Sequence, residues 1–298
     1  MLSYLLFTLT MGGIYALLAL SLNLIWGGAG MVNLGLAGFF AVGAYASAIA
    51  TAAGAPVPVG LVVALGAGVV AGLIVTFGTL KLRDDYLAIV TLGFAEVVRL
   101  VALNERWLTN GSDGMSGLKA PFKAELGTQG FNLFYLALVS IVVLAVWALL
   151  RRLDLSPFGR SLKAIREDQE LAAFAGKRVL RFKFQAFALS AAIAGLAGAL
   201  YAHFLSIVNP GAFYLRTTFI TLSMLVVGGM YSLSGAVSGV VAISLLIELF
   251  RDLEKGISLG GHTVGLPNGA QEIAIGIITI VILMYLPTGL TRNREFCW

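Results

Sequence analysis

An all-α polytopic integral membrane protein of about nine transmembrane helices, with eight to ten admissible, is the fold class this sequence predicts. Three observations carry that expectation. Hydrophobic residues make up 59% of the 298 and charged residues 12%, against roughly 25% charged in a soluble domain. The apolar residues gather in runs comparable with the ~20 residues that cross a hydrocarbon core. Nine of the twenty Lys and Arg residues (Arg151, Arg152, Arg160, Lys163, Arg166, Lys177, Arg178, Arg181 and Lys183) fall in one connection between two such runs. A basic loop of that kind faces the cytoplasm.

The same features narrow the classes of function. The net charge of +5 comes largely from that loop, so the positive-inside effect explains it without a nucleic-acid partner. Cys297 is the one cysteine, which excludes an internal disulfide framework and a multi-cysteine metal site. With nearly the whole length in or beside apolar runs, residues 1–298 read as a single transmembrane domain.

The first span is expected at residues 4–25. No basic n-region precedes it and its apolar run passes Leu20, so it reads as a retained span and not as a cleaved signal peptide. Residues 33–51 and 57–80 are the second and third spans. Between the first two, WGGAGMVN (26–33) has no charge and three glycines; it is either a tight turn or irregular backbone lining a cavity within protein. KLRDD (81–85) makes a polar turn before a fourth span at 86–103. The long polar loop 104–130 carries TNGSDGMSG at 109–117, a cluster of turn formers. The fifth and sixth spans, 131–150 and 184–206, flank the basic loop 151–183. The next apolar stretch, 217–250, has 34 residues and is interrupted by GGMYSLSG, so two short helices broken near Gly228 and Gly229 are expected. The last span, 271–286, ends at Pro287, before Arg292 and Arg294. Counting crossings from a cytoplasmic 151–183 loop puts the N-terminus and the 104–130 loop outside, and the KLRDD turn and C-terminus inside.

Shifting the sequence by 201 places Gly27 and Gly28 on Gly228 and Gly229, and Leu24 on Leu225. Glycine-broken apolar segments at corresponding positions of two halves point to a transport pathway at a repeat interface. Small residues also let helices pack closely in lipid, which is explanation enough for GLAGAL at 195–200.

Glu96 lies about 16 Å along its helix from the polar turn, near the midplane of a ~30 Å core. Arg99, one turn on, can pair with it. The residues alone leave open whether the pair lines a pathway or locks a helix into the bundle. Asn33 and Thr91 are further polar residues at membrane depth. Asp84 and Asp85 at a helix start complement its macrodipole, and no second acidic cluster accompanies them to hold the metal of a membrane transferase. His203 reads as an interfacial polar residue, and Glu248 as another ionisable group in an apolar stretch. Gly176 and Lys177 are followed by Arg178, with Leu171 where a P-loop would need its first glycine, so ATP is not bound in that way. No catalytic, metal-ligating or cofactor-binding residue is assigned.

The basic loop is more than a run of charge. FGRSLKAIREDQELAAF (158–174) places Leu162, Ile165, Leu171 and Phe174 at helical spacing, predicting one short amphipathic helix with a face to dock. A solvated topology determinant is the alternative.

Four stretches resemble one family: DDYLAIVTLGFAEVVRLV (84–101), TNGSDGMSGL (109–118), FGRSLKAIREDQELAAFAGKRVLRFKFQAFALSAAIAGLAGALYA (158–202) and VVGGMYSLSGAVSG (226–239). They are similar to the M-type permease of branched-chain amino acid ABC importers. Permeases for urea and short amides look alike. The resemblance implies a bacterial inner-membrane protein with two ATP-binding subunits, a related H-type permease and a periplasmic solute-binding protein as partners. ATP and Mg would then lie on the ATPase subunits, with no cofactor on this chain, and the 104–130 loop would be periplasmic. It further implies that the stretch from Gly159 to Gly176, with Arg160, Ala164, Ile165, Arg166, Glu167, Glu170 and Ala172, docks on an ATPase. ELAAFAG (170–176) is loosely similar to the EAA motif of ABC permeases, with Leu171 inserted after the glutamate. Two other readings remain: an ion-coupled secondary carrier using Glu96, and a membrane transferase using Asp84 and Asp85.

Overall fold

The computed structural model describes residues 2–79, 84–118, 120–121, 123–254, 257–259, 262–264, 269–286 and 289–291. Most of the KLRDD turn, Pro287, Arg292, Arg294 and Cys297 lie outside the described residues, as do the side chains of Asp84, Asp85 and His262.

Helix α1 (Leu2–Asn23) runs on through a π-helical turn, Leu24–Gly28. It is followed by α2 (Leu36–Ala52), α3 (Val57–Thr79), α4 (Asp84–Asn104), the single turn α5 (Arg106–Thr109) and α6 (Lys123–Leu155). Two short helices, α7 (Pro157–Glu167) and α8 (Gln169–Phe174), lead to α9 (Val179–Leu205), α10 (Leu215–Gly228), α11 (Leu233–Glu254) and α12 (Ala270–Tyr285). Among the described residues six helices are long and apolar enough to cross a membrane, and α2, α10 and α12 are apolar but shorter. The protein is an all-α polytopic membrane bundle.

Burial ranks the helices. In α9, 72% of the apolar window is buried inside the chain, against 22% in α6, so α9 is the centre and α6 turns most of its surface outward. Small residues put α9 there. A Cβ on Gly43 of α2 would fall on the carbonyl of Gly195, and one on Gly195 would lie 2.7 Å from the carbonyl of Ala64 in α3. Three backbones thus meet where the sequence reads GLAGAL, since association in lipid rewards close contact. Ser21 of α1 and Ser190 of α9 are both fully buried and each donates to the other's carbonyl, at 2.8 and 2.9 Å. The Tyr135 hydroxyl ties α6 to α9 through the Leu200 carbonyl, at 2.7 Å.

Several expectations need correction. The second span starts at Leu36 rather than 33, because the side chain of Asn33 accepts from the Gly35 amide (2.8 Å) and holds that stretch off the helix. The 104–130 connection is shorter than its polarity implies: α5, a 3-10 turn at Gly111–Asp113 and the two residues Met115–Ser116 fill it, and α6 has begun by Lys123 with a kink at Gly127. Met115 and Ser116 pair antiparallel with Val208 and Ile207, pinning this connection to the one that follows α9. The basic connection narrows too, since Arg151 and Arg152 complete α6 while Arg181 and Lys183 open α9. His203 is fully buried within the bundle, with Nε2 2.8 Å from the Ser47 hydroxyl.

Candidate functional site

Local chemistry sets the shape of the basic connection. Ser156 caps α7, its hydroxyl accepting from the amides of Phe158 (3.2 Å) and Gly159 (3.5 Å), with Pro157 at the first helical position; both are strong start signals. Gly159 is buried where any Cβ would strike the Asp154 carbonyl, so α7 folds directly back on the end of α6. Lys163 reinforces that corner with a 2.9 Å ion pair to Asp154. The helix ends at Asp168, which turns extended and caps α8 by accepting from the Leu171 amide at 2.9 Å. The one amphipathic helix expected over 158–174 is therefore two. Leu162 and Ile165 face inward, and Ile165 packs with Ala172, Val179 and Phe182. Leu171 and Phe174 are turned away, 66% and 88% exposed. With exposed Arg160, Ala164, Glu167 and Glu170 they form an outward face, and Gly176, at φ 78°, reverses the chain toward α9.

The inner side of α7 reaches both helix breaks. Arg166 donates through Nη1 to the Gly27 carbonyl at 2.5 Å, and its guanidinium lies 4.8 Å from the centre of the Tyr231 ring. The same side chain pairs with Glu167 at 2.7 Å. Gly27 belongs to the break after α1 and Tyr231 to the break between α10 and α11, where α10 ends on Gly228 and Gly229 takes φ 116°. The breaks also touch directly. Asn23 donates to the Met230 carbonyl at 2.6 Å, and a Cβ on Gly27 would land on that same oxygen. Gly28 has no neighbour so close. Broken helices leave carbonyls without intrahelical donors, and Arg166 and Asn23 supply them. Arg166 suits the position because its planar fork can donate at the edge while its face stacks on an aromatic ring. A cavity of about 350 Å³, bounded by Asn23, Gly27, Asp154, Lys163, Arg166 and Tyr231, lies beside these contacts, between the end of α6, α7 and the breaks.

The other residues singled out in the sequence lie elsewhere. Asn33 and Thr91 come together at the start of α2, where the Thr91 hydroxyl accepts from the Leu34 amide at 3.1 Å. Both are buried, and both serve backbone groups. Glu96 and Arg99 form their ion pair within α4; the Arg99 side chain is 12% exposed and Glu96 47%, and Arg99 also lies 4.7 Å from the Tyr214 ring. This pair is remote in sequence from both breaks and makes none of the contacts of Arg166. Sequence reasoning missed Asn23 and Tyr231. A lone amide in an otherwise apolar span was the available signal, since such groups seek a partner inside the bundle.

Fold and site together define a polytopic helical transport protein whose basic helix pair braces two glycine-broken segments. The family model for the branched-chain amino acid transport system, permease component, matches residues 4–286, and the chain belongs to that family. It is 32% identical to the high-affinity branched-chain amino acid transport system permease protein LivM of Salmonella typhimurium, covering 94% of this chain and 68% of that one. The LivH permease of the same organism is 22% identical over 96% of this chain and 94% of its own. An L-arabinose ABC transporter permease protein, AraH of Azospirillum brasilense, is 26% identical over 66% of this chain and 55% of its own.

Proposed function

We propose that this chain is one of two permease subunits of an ABC importer that carries branched-chain amino acids across the bacterial inner membrane, energised by two separate ATP-binding subunits. Similarity to both LivM and LivH supports a pair of related permeases, this chain being the M-type member. A periplasmic binding protein delivers the solute, and ATP and Mg are held by the ATPases. Nine crossings, with the N-terminus periplasmic and α7, α8 and the C-terminus cytoplasmic, suit the basic connection.

The observation that carries the reading is Arg166, on a helix pair with an exposed outer face, bonded to one break and stacked on the other. An ATPase that grips Leu171 and Phe174 outside moves α7, and Arg166 passes that movement to the segments where the helices are already interrupted. Packed elements of this kind respond by switching between discrete arrangements. The secondary-carrier reading places its ion site at Glu96, whose carboxylate is committed to Arg99.

Co-purification with the ATPase subunits tests the assignment. Leu171→Asp with Phe174→Asp is expected to abolish ATPase binding while the permease stays monodisperse in detergent. Undiminished binding in that variant, or leucine uptake by the chain without any ATPase, would remove the basis of the proposal.

A further inference from the structure

A second cavity, of about 380 Å³, opens between α1, α10 and α11 at the end of the bundle opposite α7. Its size is near the lower end of small-molecule sites, roughly 300–1,000 Å³. Two lining residues carry opposite charge on neighbouring helices: Arg216 near the start of α10 and Glu248 on α11. Each is held in place by another element. Glu272 of α12 forms an ion pair with Arg216, and the Thr8 hydroxyl donates to Glu248 Oε2 at 3.2 Å. The wall beside them mixes the aliphatic side chains of Met11, Ile220, Met224 and Ile247 with aromatic rings, Tyr15 and Phe40 among them.

We infer that this cavity is an amino-acid subsite on the permease itself, in which Arg216 takes the α-carboxylate, Glu248 the α-ammonium, and the apolar part of the wall the side chain. The inference rests on the proposed function and adds where this subunit holds its solute. The chemistry selects among ligands. A neutral sugar, such as the relative AraH is named for, makes no use of the two charges. A simple anion is opposed by Glu248 and Glu272, and a simple cation makes no use of Arg216. A lipid tail uses the wall alone. A zwitterion with an aliphatic side chain uses all three, and an Arg fork matches a carboxylate with two parallel bonds.

The test uses the complete importer, assayed for ATP-driven uptake in proteoliposomes and, without binding protein, for direct binding of L-leucine. Competitors are leucinol, which lacks the carboxylate, 4-methylpentanoate, which lacks the ammonium, and L-arabinose. Both leucine analogues are expected to bind at least tenfold more weakly than leucine. Arg216→Gln is expected to weaken leucine at least tenfold and leave leucinol unchanged, and Glu248→Gln to do the same with respect to 4-methylpentanoate. Reversing the ion pair, Arg216→Glu with Glu272→Arg, retains the α10–α12 bridge and is not expected to restore leucine binding. Ile220→Trp, which fills the cavity without touching a charge, is expected to raise the KM for leucine. Leucine binding that survives Arg216→Gln or Glu248→Gln, or that the reversal restores in full, overturns the subsite while leucine import leaves the proposed function standing. Import of arabinose and not leucine by the wild type overturns the proposed function itself.

Discussion

Arg166 is attached to the Gly27 carbonyl, the Tyr231 ring and Glu167, and these attachments predict separable effects. Arg166→Gln keeps a donor but loses the charge and the stacked plane. It is expected to leave ATPase co-purification intact, because the docking face lies on the other side of α7, and to lower ATP-driven uptake by more than tenfold. Loss of ATPase binding in this variant would show instead that Arg166 serves the outer face. The Ser21–Ser190 clasp is a second residue-scale case. A double-mutant cycle to alanine should give a coupling of about 0.6 kcal/mol, the average for hydrogen bonds between membrane helices, and no more than about 1.7 kcal/mol, read from thermal unfolding in detergent. The importance of Arg166 was legible in the sequence as part of the basic stretch. Its partners were not: Gly27 is 139 residues away, and nothing local marks one carbonyl out of a glycine-rich run.

Among the elements, α7 and α8 show where periodicity misleads. Leu162, Ile165, Leu171 and Phe174 keep helical spacing through Asp168, so the pattern predicts one helix. Asp168 is also a helix-starting residue, and its carboxylate captures the Leu171 amide and divides the stretch in two. The division turns the second pair of apolar side chains outward, to where a partner can reach them. The break between α10 and α11 was readable because glycine is both the residue that stops a helix at positive φ and the residue that lets two backbones touch. The extent of α6 was not, because polar Lys123, Glu125 and Gln129 look like loop while helix propensity favours them. Close packing of α2 on α9 gives an element-scale prediction. Gly43→Val drives a side chain into the Gly195 carbonyl, and overpacking of this kind costs about 1–3 kcal/mol. A lowered midpoint in a fluorescence-detected melting experiment should follow, with Gly66→Val, which meets no atom, as the control.

Across the whole molecule, the helix directions follow from contacts made at alternate ends. Arg166 and Thr291 meet the breaks at one end, while Lys123 reaches Ser206 and Arg216 reaches Glu272 at the other. With Cys297 replaced by serine, a cysteine at Lys177 is expected to react with a membrane-impermeant thiol reagent only from the cytoplasmic side, and one at Trp107 only from the periplasmic side. Labelling of both from one side would reject the proposed orientation. Fold class was legible because burial in lipid forces long apolar runs; the join between the two breaks was not, because Asn23 and Met230 meet across 207 residues of sequence. That join also bears on synthesis. Asn23 finds the Met230 carbonyl 207 residues later, which at about 5–20 residues per second is a delay of roughly 10–40 s. Throughout that interval the first helix sits in the membrane with its amide waiting for an acceptor not yet made. A nascent chain stalled before the tenth helix is therefore exposed at its oldest segment, and quality-control proteases of the membrane should recognise it there.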